Sequence, residues 1–381
     1  MSVFDRIEAF CKELRPLEDI YYLEGKYNDQ LIPLVKKYGI LGMPVEKKYG
    51  GGGMSTADYC EALRRIGQEG TGIRTFFSGH TSLGQKCLQE FGSEYLKKEY
   101  LRPSCKGKKI LAWALTEPEA GSDPKSLRTK YRKVGDGYVL NGDKYLISNA
   151  GIADAIIVFA KGSDGMIACF VVDSESKGLT REDMVAKMGM HTINTGMFNL
   201  KNVKVLKKHM IGKPKDGWKI AMHCLLNGRL SVAAGCVGVM EDTLRECVRY
   251  AKERKQHGKA IAKHQLIQEH IAMMKTQLEA SRLMVRKAAS LKDSYDAKRT
   301  KAGFITVDTA IAEAKFYAVN AAFDVADRGV QIYGGRGWSY LFRPGRHMVD
   351  TRVCRIYEGT DEIMKLKIAL SVLGREYSAF R

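Results

Sequence analysis

No run of roughly 18 apolar residues, the length a membrane-spanning helix needs, occurs anywhere in the 381 residues, so no membrane span is expected. The nine cysteines, at positions 11, 60, 87, 105, 169, 224, 236, 247 and 354, include no C-x-x-C pair. An odd, scattered set argues against a disulfide framework or a zinc site and fits reduced thiols in a cytosol. The eight histidines contain no H-E-x-x-H, and His264 and His270, six apart, fall on different sides of a helix, so no metal is expected. "YGGGGMST" (49–56) is not followed by Gly-Lys-Ser/Thr, which excludes a P-loop. No G-x-G-x-x-G opens a helix after a strand, which excludes a Rossmann nucleotide site. Repeats and low-complexity tracts are also missing.

Acidic residues are in short supply: 43 Asp and Glu face 62 Lys and Arg, for a net charge of +19. Such a field attracts nucleic acid, a membrane surface, a phosphate-rich ligand or an acidic protein. The lysines are dispersed in short runs, such as Lys97-Lys98 and Lys207-Lys208, which read as solvated faces. Nucleic acid is therefore not the expected partner. The first residues, "MSVFDRIEAFCKEL", place Val3, Phe4, Ile7, Phe10, Cys11 and Leu14 at helical spacing among Asp5, Glu8 and Glu13. That argues against a secretory or transit peptide and for a cytoplasmic protein.

What is present falls into three parts. Residues 1–110 read as helices, with stripes Leu31, Leu34, Val35, Tyr38 and Tyr59, Leu63, Ile66, and with Ser55 or Thr56 capping the second. Residues 111–215 read as short strands. Two turn signals, Gly135-Asp136-Gly137 and Asn141-Gly142-Asp143, are expected to separate hairpin strands, and "AIIVFA" and "MIACFVVD" to be buried strands. From 216 to 381 helical periodicity returns in long stretches, 231–256, 262–292 and 304–333, which suggests an antiparallel bundle.

Polar clusters punctuate these parts. "WALTEPEAGSD" (113–123) offers Thr116, Ser122 and loop amides from a turn that Pro118 directs, and "KYLISNAG" (144–151) adds Ser148 beside Leu146. "NGRLSVAAG" (227–235), "ERKQHGK" (253–259) and "QIYGGRGW" (331–338) contribute Arg229, Arg254, Gln331 and Gly334-Gly335. Arginine forks suit a diphosphate, and paired glycines let a backbone approach a ligand. Near the C-terminus "RVCRIYEGTDEI" (352–363) sets a lone carboxylate, Glu358, before a glycine.

In this order, "ALTEPEAGSD", "YLISNAG", "ERKQHGKAIAKHQLIQ", "QIYGGRGW" and "IYEGTDEI" resemble the acyl-CoA dehydrogenase family over essentially the whole chain. The resemblance implies a mixed, mostly α fold with an N-terminal helical domain, a central β-barrel-like domain and a C-terminal four-helix bundle. It also implies FAD, a homotetramer built as a dimer of dimers, an acyl-CoA substrate and an electron-transferring flavoprotein as acceptor. By the same likeness Leu115, Thr116, Leu146 and Ser148 face the flavin ring. Arg254 reaches an FAD diphosphate, of a neighbouring subunit, with His257 and Gln265 alongside. Gln331 and Gly335 touch the adenylate, and Thr360 and Glu362 close the site. Ser122 and Arg229 hold the CoA arm, Gly359 admits the thioester, and Glu358 removes the α proton while hydride leaves the β carbon. Burial beside an acyl chain should raise the Glu358 pKa towards working pH.

Departures from the family pattern are local. Leu146 stands where many members have tryptophan, Ser148 where threonine is usual, His257 for a common phenylalanine, and Leu226 for an aspartate used in CoA recognition. "GTGIRTFFSGHTSL" (70–83) sets Arg74 and Ser78 four apart and looks like the stretch with which glutaryl-CoA dehydrogenases bind a distal carboxylate. The expected activity is dehydrogenation of a short-chain, cyclic or carboxylated acyl-CoA in fatty acid or amino acid catabolism. Alternatives are a glutaryl-CoA-type enzyme, an acyl group carried by acyl carrier protein, and a non-catalytic nucleic-acid-binding relative.

Overall fold

The computed structural model describes residues 1–379. Helix α1 (Val3–Glu24) starts at a capping box in which Ser2 accepts from the Asp5 N–H, and it buries the stripe Ile7, Phe10, Cys11 and Leu14. Next come α2 (Leu31–Tyr38) and α3 (Thr56–Gly67), where Ser55 rather than Thr56 is the cap, accepting from the Asp58 N–H. Helix α4 (Thr71–Phe77) is buried on every face and runs into a π-helical stretch, Ser78–Gln85, before α5 (Lys86–Phe91). Two short helices, α6 (Glu94–Leu96) and α7 (Arg102–Cys105), complete the N-terminal part.

Strand β1 (Leu111–Ala114) opens an eight-stranded sheet with β2 (Lys130–Val134), β3 (Gly137–Ser148), β4 (Ala155–Lys161), β5 (Ile167–Asp173), β6 (Leu179–Asp183), β7 (Thr195–Leu206) and β8 (Met210–Ile211). One half runs β6-β7-β3-β2 and the other is β4 with β1, β5 and β8. A single parallel pair, Lys130 with Lys161, joins the halves. The first expected turn is a hairpin, with Val134 opposite Gly137. The second is not a turn. Asn141-Gly142-Asp143 lies inside β3 as a bulge, where register with β7 shifts between Leu140 and Gly142. Gly142 has φ +143°, and a Cβ there would sit 2.6 Å from the Thr129 Cα, so the glycine serves a kink under a crossing strand.

The C-terminal part is helical: α8 (Gly217–Glu253), α9 (Gln265–Ala297) and α10 (Lys301–Tyr333) pack on one another, with the shorter α11 (Arg343–Arg352) and α12 (Asp361–Leu373) against α10. Helix α8 begins earlier than the expected 231, because its first turns also bury Ile220, Ala221, Cys224 and Leu226. It is long and apolar enough to cross a membrane, yet 83% of its apolar window is buried inside the fold. Gly67 and Gly238 let α3 rest directly on α8: a Cβ on Gly238 would lie 1.9 Å from the Arg64 carbonyl oxygen. That close crossing brings α4 over the middle of α8, where a large cavity opens.

Candidate active site

The cavity, about 990 Å3, lies between α4 with its π-helical extension, the ends of β1 and β3, α8, the loop before α12, and α12 itself. The structure brings Glu358, Gly359, Leu115, Thr116, Leu146, Ser148, Ser122, Arg229, Arg74 and Ser78 to its wall. These ten come from positions 74 to 359 of the chain, gathered by tertiary packing alone.

Glu358 sits in a left-handed backbone conformation, φ +56°, followed by Gly359 at φ +92°. Such backbone costs about 1 kcal/mol or more for a residue with a Cβ and persists only where neighbours fix it. Here two cations hold consecutive carbonyls. Arg229 Nε donates to the Glu358 oxygen (3.1 Å) and buried Lys315 Nζ to the Gly359 oxygen (2.5 Å). Arg229 Nη1 also donates to Asp308 (3.1 Å), whose other oxygen accepts from Lys367 (2.5 Å). The Glu358 carboxylate lies over Gly228 of α8, where a Cβ would come within 2.4 Å of Oε2. That oxygen is shut off from solvent and has no hydrogen-bond partner. Burial pushes the Glu358 pKa up to about 6, and the charges of Arg229, Arg74 and Lys315 keep it from rising further.

Arg74 lies at the inner end, only 1% exposed, beside Gly235, where a Cβ would meet its Cγ at 2.6 Å. Its guanidinium donates to the Tyr357 hydroxyl and stacks at 5.5 Å from that ring, and no carboxylate pairs with it among the described residues. Arg74 Nε and Ser78 Oγ are both buried without partners. A buried cation of this kind is costly until an anion meets it.

The opposite wall is the β1–β3 edge. Lys144 and Glu117 form a buried ion pair there (2.7 Å). Lys144 Nζ also donates to the Leu115 carbonyl (3.2 Å), and Glu117 accepts from the Arg128 and Thr129 amides. This fixes the Leu115-Thr116 segment against the strand that carries Ser148. Ser148 pairs in register with Thr195, whose Oγ1 is buried and unpartnered. Leu146, at φ +57°, leaves 47% of itself exposed, so this wall is open on one side. Thr116 and Ser148 offer hydroxyls along this wall.

The remaining candidates do not line this cavity. Arg254, His257 and Gln265 are exposed at and beyond the end of α8, and Gln331 and Gly335 are exposed at the end of α10. Thr360 caps α12, accepting from the Ile363 N–H, and Glu362 is exposed in its first turn. Arg229, read as a CoA contact, is on the cavity wall and directs Nε to the Glu358 carbonyl and Nη1 to Asp308. Sequence reasoning passed over Gly228, Tyr357, Asp308 and Lys315. Only the adjacency of Gly228 to Arg229 and of Tyr357 to Glu358 could have signalled them.

Comparison with known proteins bears on all three parts of the chain. Family profiles described as the acyl-CoA dehydrogenase N-terminal, middle and C-terminal domains match residues 3–108, 112–203 and 215–373. The short-chain specific acyl-CoA dehydrogenase of Megasphaera elsdenii is 38% identical over 361 residues, covering 92% of each chain. The CarC subunit of the caffeyl-CoA reductase-Etf complex of Acetobacterium woodii is 35% identical, covering 92% of this chain and 91% of its own. A glutaryl-CoA dehydrogenase of Mycobacterium smegmatis, solved in complex with FADH2, superposes with a TM-score of 0.92 at 27% identity, covering 100% of this chain and 95% of the other.

Proposed function

Because the chain belongs to the acyl-CoA dehydrogenase family, we propose that it introduces an α,β double bond into a short-chain acyl-CoA, with Glu358 as the base. It is an FAD-dependent oxidoreductase acting on acyl-CoA. When bound, FAD supplies the acceptor for the hydride that leaves the β carbon. Leu115, Thr116 and Ser148 would hold the ring at the β1–β3 edge.

One observation carries the reading: a desolvated carboxylate oxygen, free of hydrogen bonds, in a cavity large enough for a thioester. An α C–H is a poor acid, so its base must be unsolvated and already in place. The α C–H bond breaks, the proton ends on the Glu358 carboxylate, and the electron pair closes the double bond as hydride departs from the β carbon. The developing thioester oxyanion needs a donor, and the Glu358 N–H makes no hydrogen bond among the described residues. With both loop carbonyls held by cations, that amide remains available. Ser122 at the mouth would meet the CoA arm, while Arg229 acts from beneath the loop.

A second reading is favoured by the unpartnered Arg74 Nε and Ser78 Oγ: the acyl group carries a distal carboxylate, as in a glutaryl-type substrate. The acceptor is an electron-transferring flavoprotein, in line with the relative that is named as a subunit of an Etf complex. The exposed Arg254, His257, Gln265, Gln331 and Gly335 would serve the FAD of a neighbouring subunit in a homotetramer, with Thr360 and Glu362 at the same edge.

Anaerobic titration of the FAD-loaded protein with butyryl- and glutaryl-CoA tests both readings through bleaching of the flavin. Bleaching by neither thioester overturns the main one. Arg74→Met is expected to weaken glutaryl-CoA binding by about 100-fold, or roughly 3 kcal/mol for a lost buried charge pair, and to leave butyryl-CoA nearly unchanged. Equal loss on both substrates would assign Arg74 a structural role.

A further inference from the structure

Lys315 is a charge with no evident reason to be buried. It lies on α10 with no exposed surface, and the other buried residues around it on that helix, Ile311, Ala312, Ala314, Ala318 and Val319, are all apolar. No carboxylate comes within ion-pairing distance among the described residues, and its ammonium makes a single hydrogen bond, to the Gly359 carbonyl at 2.5 Å. Interiors tolerate an unpaired ammonium only where something offsets the lost hydration.

The surroundings supply the reason. Gly359 follows the base, and both residues hold left-handed backbone. Facing Lys315 are Cys354 from the turn before the loop, Cys236 of α8, Asp361 at the start of α12 and Glu358 itself. Asp361 accepts from Asn320 (2.9 Å) and Arg355 (3.2 Å) through Oδ2, while its Oδ1 is buried without a partner among the described residues. Facing Glu358 are three cations: Arg229 of α8, Arg74 of α4 and Lys315 of α10. Arg74 is occupied with Tyr357, and Arg229 with Asp308 and the Glu358 carbonyl. Among the described residues Lys315, like Arg74, pairs with no carboxylate, and of the two it alone holds the loop backbone.

We infer that Lys315 is a positioning residue for the reaction: it pins the Gly359 carbonyl so that the Glu358 loop stays left-handed, and its charge joins those of Arg229 and Arg74 in favouring the ionised base. The inference rests on the reading of Glu358 as the base. The donor role fixes the place of the carboxylate and of its amide. The charge role fixes the pH at which the carboxylate can accept a proton.

Two variants separate the roles. Lys315→Met removes donor and charge; Lys315→Gln keeps an N–H donor, one bond shorter, and removes the charge. Bleaching of the bound FAD by butyryl-CoA is followed by stopped flow against pH. The protonation midpoint of Glu358 is read independently by infrared difference spectroscopy of its carboxyl stretch, assigned with Glu358→Gln. Lys315→Met is expected to retain FAD, to keep the substrate dissociation constant within about threefold, and to bleach about 100-fold more slowly. In both variants the infrared midpoint should rise by roughly one unit, because an opposite charge has been lost. Lys315→Gln should lose less rate than Lys315→Met at a pH above the new midpoint. Unchanged midpoints in folded variants overturn the inference, as does a Lys315→Met bleaching rate within about twofold of wild type. If Lys315→Met does not fold, Lys315→Gln decides by its midpoint. The infrared reading needs no turnover, so a wild-type protein that no thioester bleaches would sink the functional reading while leaving this one to stand or fall on its own.

Discussion

Gly228 governs where the base can sit. The Glu358 carboxylate occupies the space a side chain at 228 would take, with both oxygens within 2.6 Å of a built Cβ. Gly228→Ala is therefore expected to push the carboxylate off its station, lowering the bleaching rate by about 100-fold for a displacement near 1 Å while leaving FAD content unchanged. A stopped-flow rate equal to wild type would show that the loop gives way freely. Glu358 became a candidate base in the sequence only through the four motifs upstream of it, since its own segment reads like a surface glutamate at a helix start. The groups that control it were not legible. Arg229 lies 129 positions from Glu358, and Lys315 lies 44 from Gly359. A buried lysine inside an apolar helical stripe looks, along the chain, like any solvated one.

Among the elements, the β1–β3 edge depends on one buried ion pair. Lys144 and Glu117 are both almost fully buried, and together they tie the Leu115-Thr116 segment to β3. Lys144→Met leaves the Glu117 carboxylate with backbone amides alone, and removal of one partner of such a pair costs about 3 kcal/mol or more. The expected result is a lower urea midpoint together with reduced retention of FAD. An unchanged midpoint would mean that the Arg128 and Thr129 amides suffice. Helix type was readable here because the apolar period marks it strongly, but the start of α8 was not, and the choice between Ser55 and Thr56 as the cap of α3 needed the backbone. The bulge in β3 was misread as a turn because Asn-Gly-Asp carries the same local chemistry in both. Only the crossing of Thr129 over Gly142 decides between them, and that is a contact between strands.

For the molecule as a whole, the order helix, sheet, helix places an apolar-walled cavity where the three parts meet, and the five ordered motifs made that arrangement readable before any coordinates. What they could not convey is division of labour. Six of the eleven cofactor candidates, among them Arg254 and Gln331, lie on exposed surface away from the cavity. The excess of 62 basic over 43 acidic residues gives the surface a positive field. Association with an acidic electron-transferring flavoprotein should then slow as salt rises, with the bound-state chemistry little changed.

The central claim is that Glu358 takes the α proton. Its most direct test is anaerobic mixing of butyryl-CoA with FAD-loaded wild type and Glu358→Gln across a pH series. Only the ionised carboxylate accepts a proton, so the wild-type bleaching rate should rise with pH through a midpoint near the Glu358 value of about 6 and then level off. Glu358→Gln should keep its FAD and stay yellow at every pH. Bleaching of that variant at the wild-type rate would contradict the account.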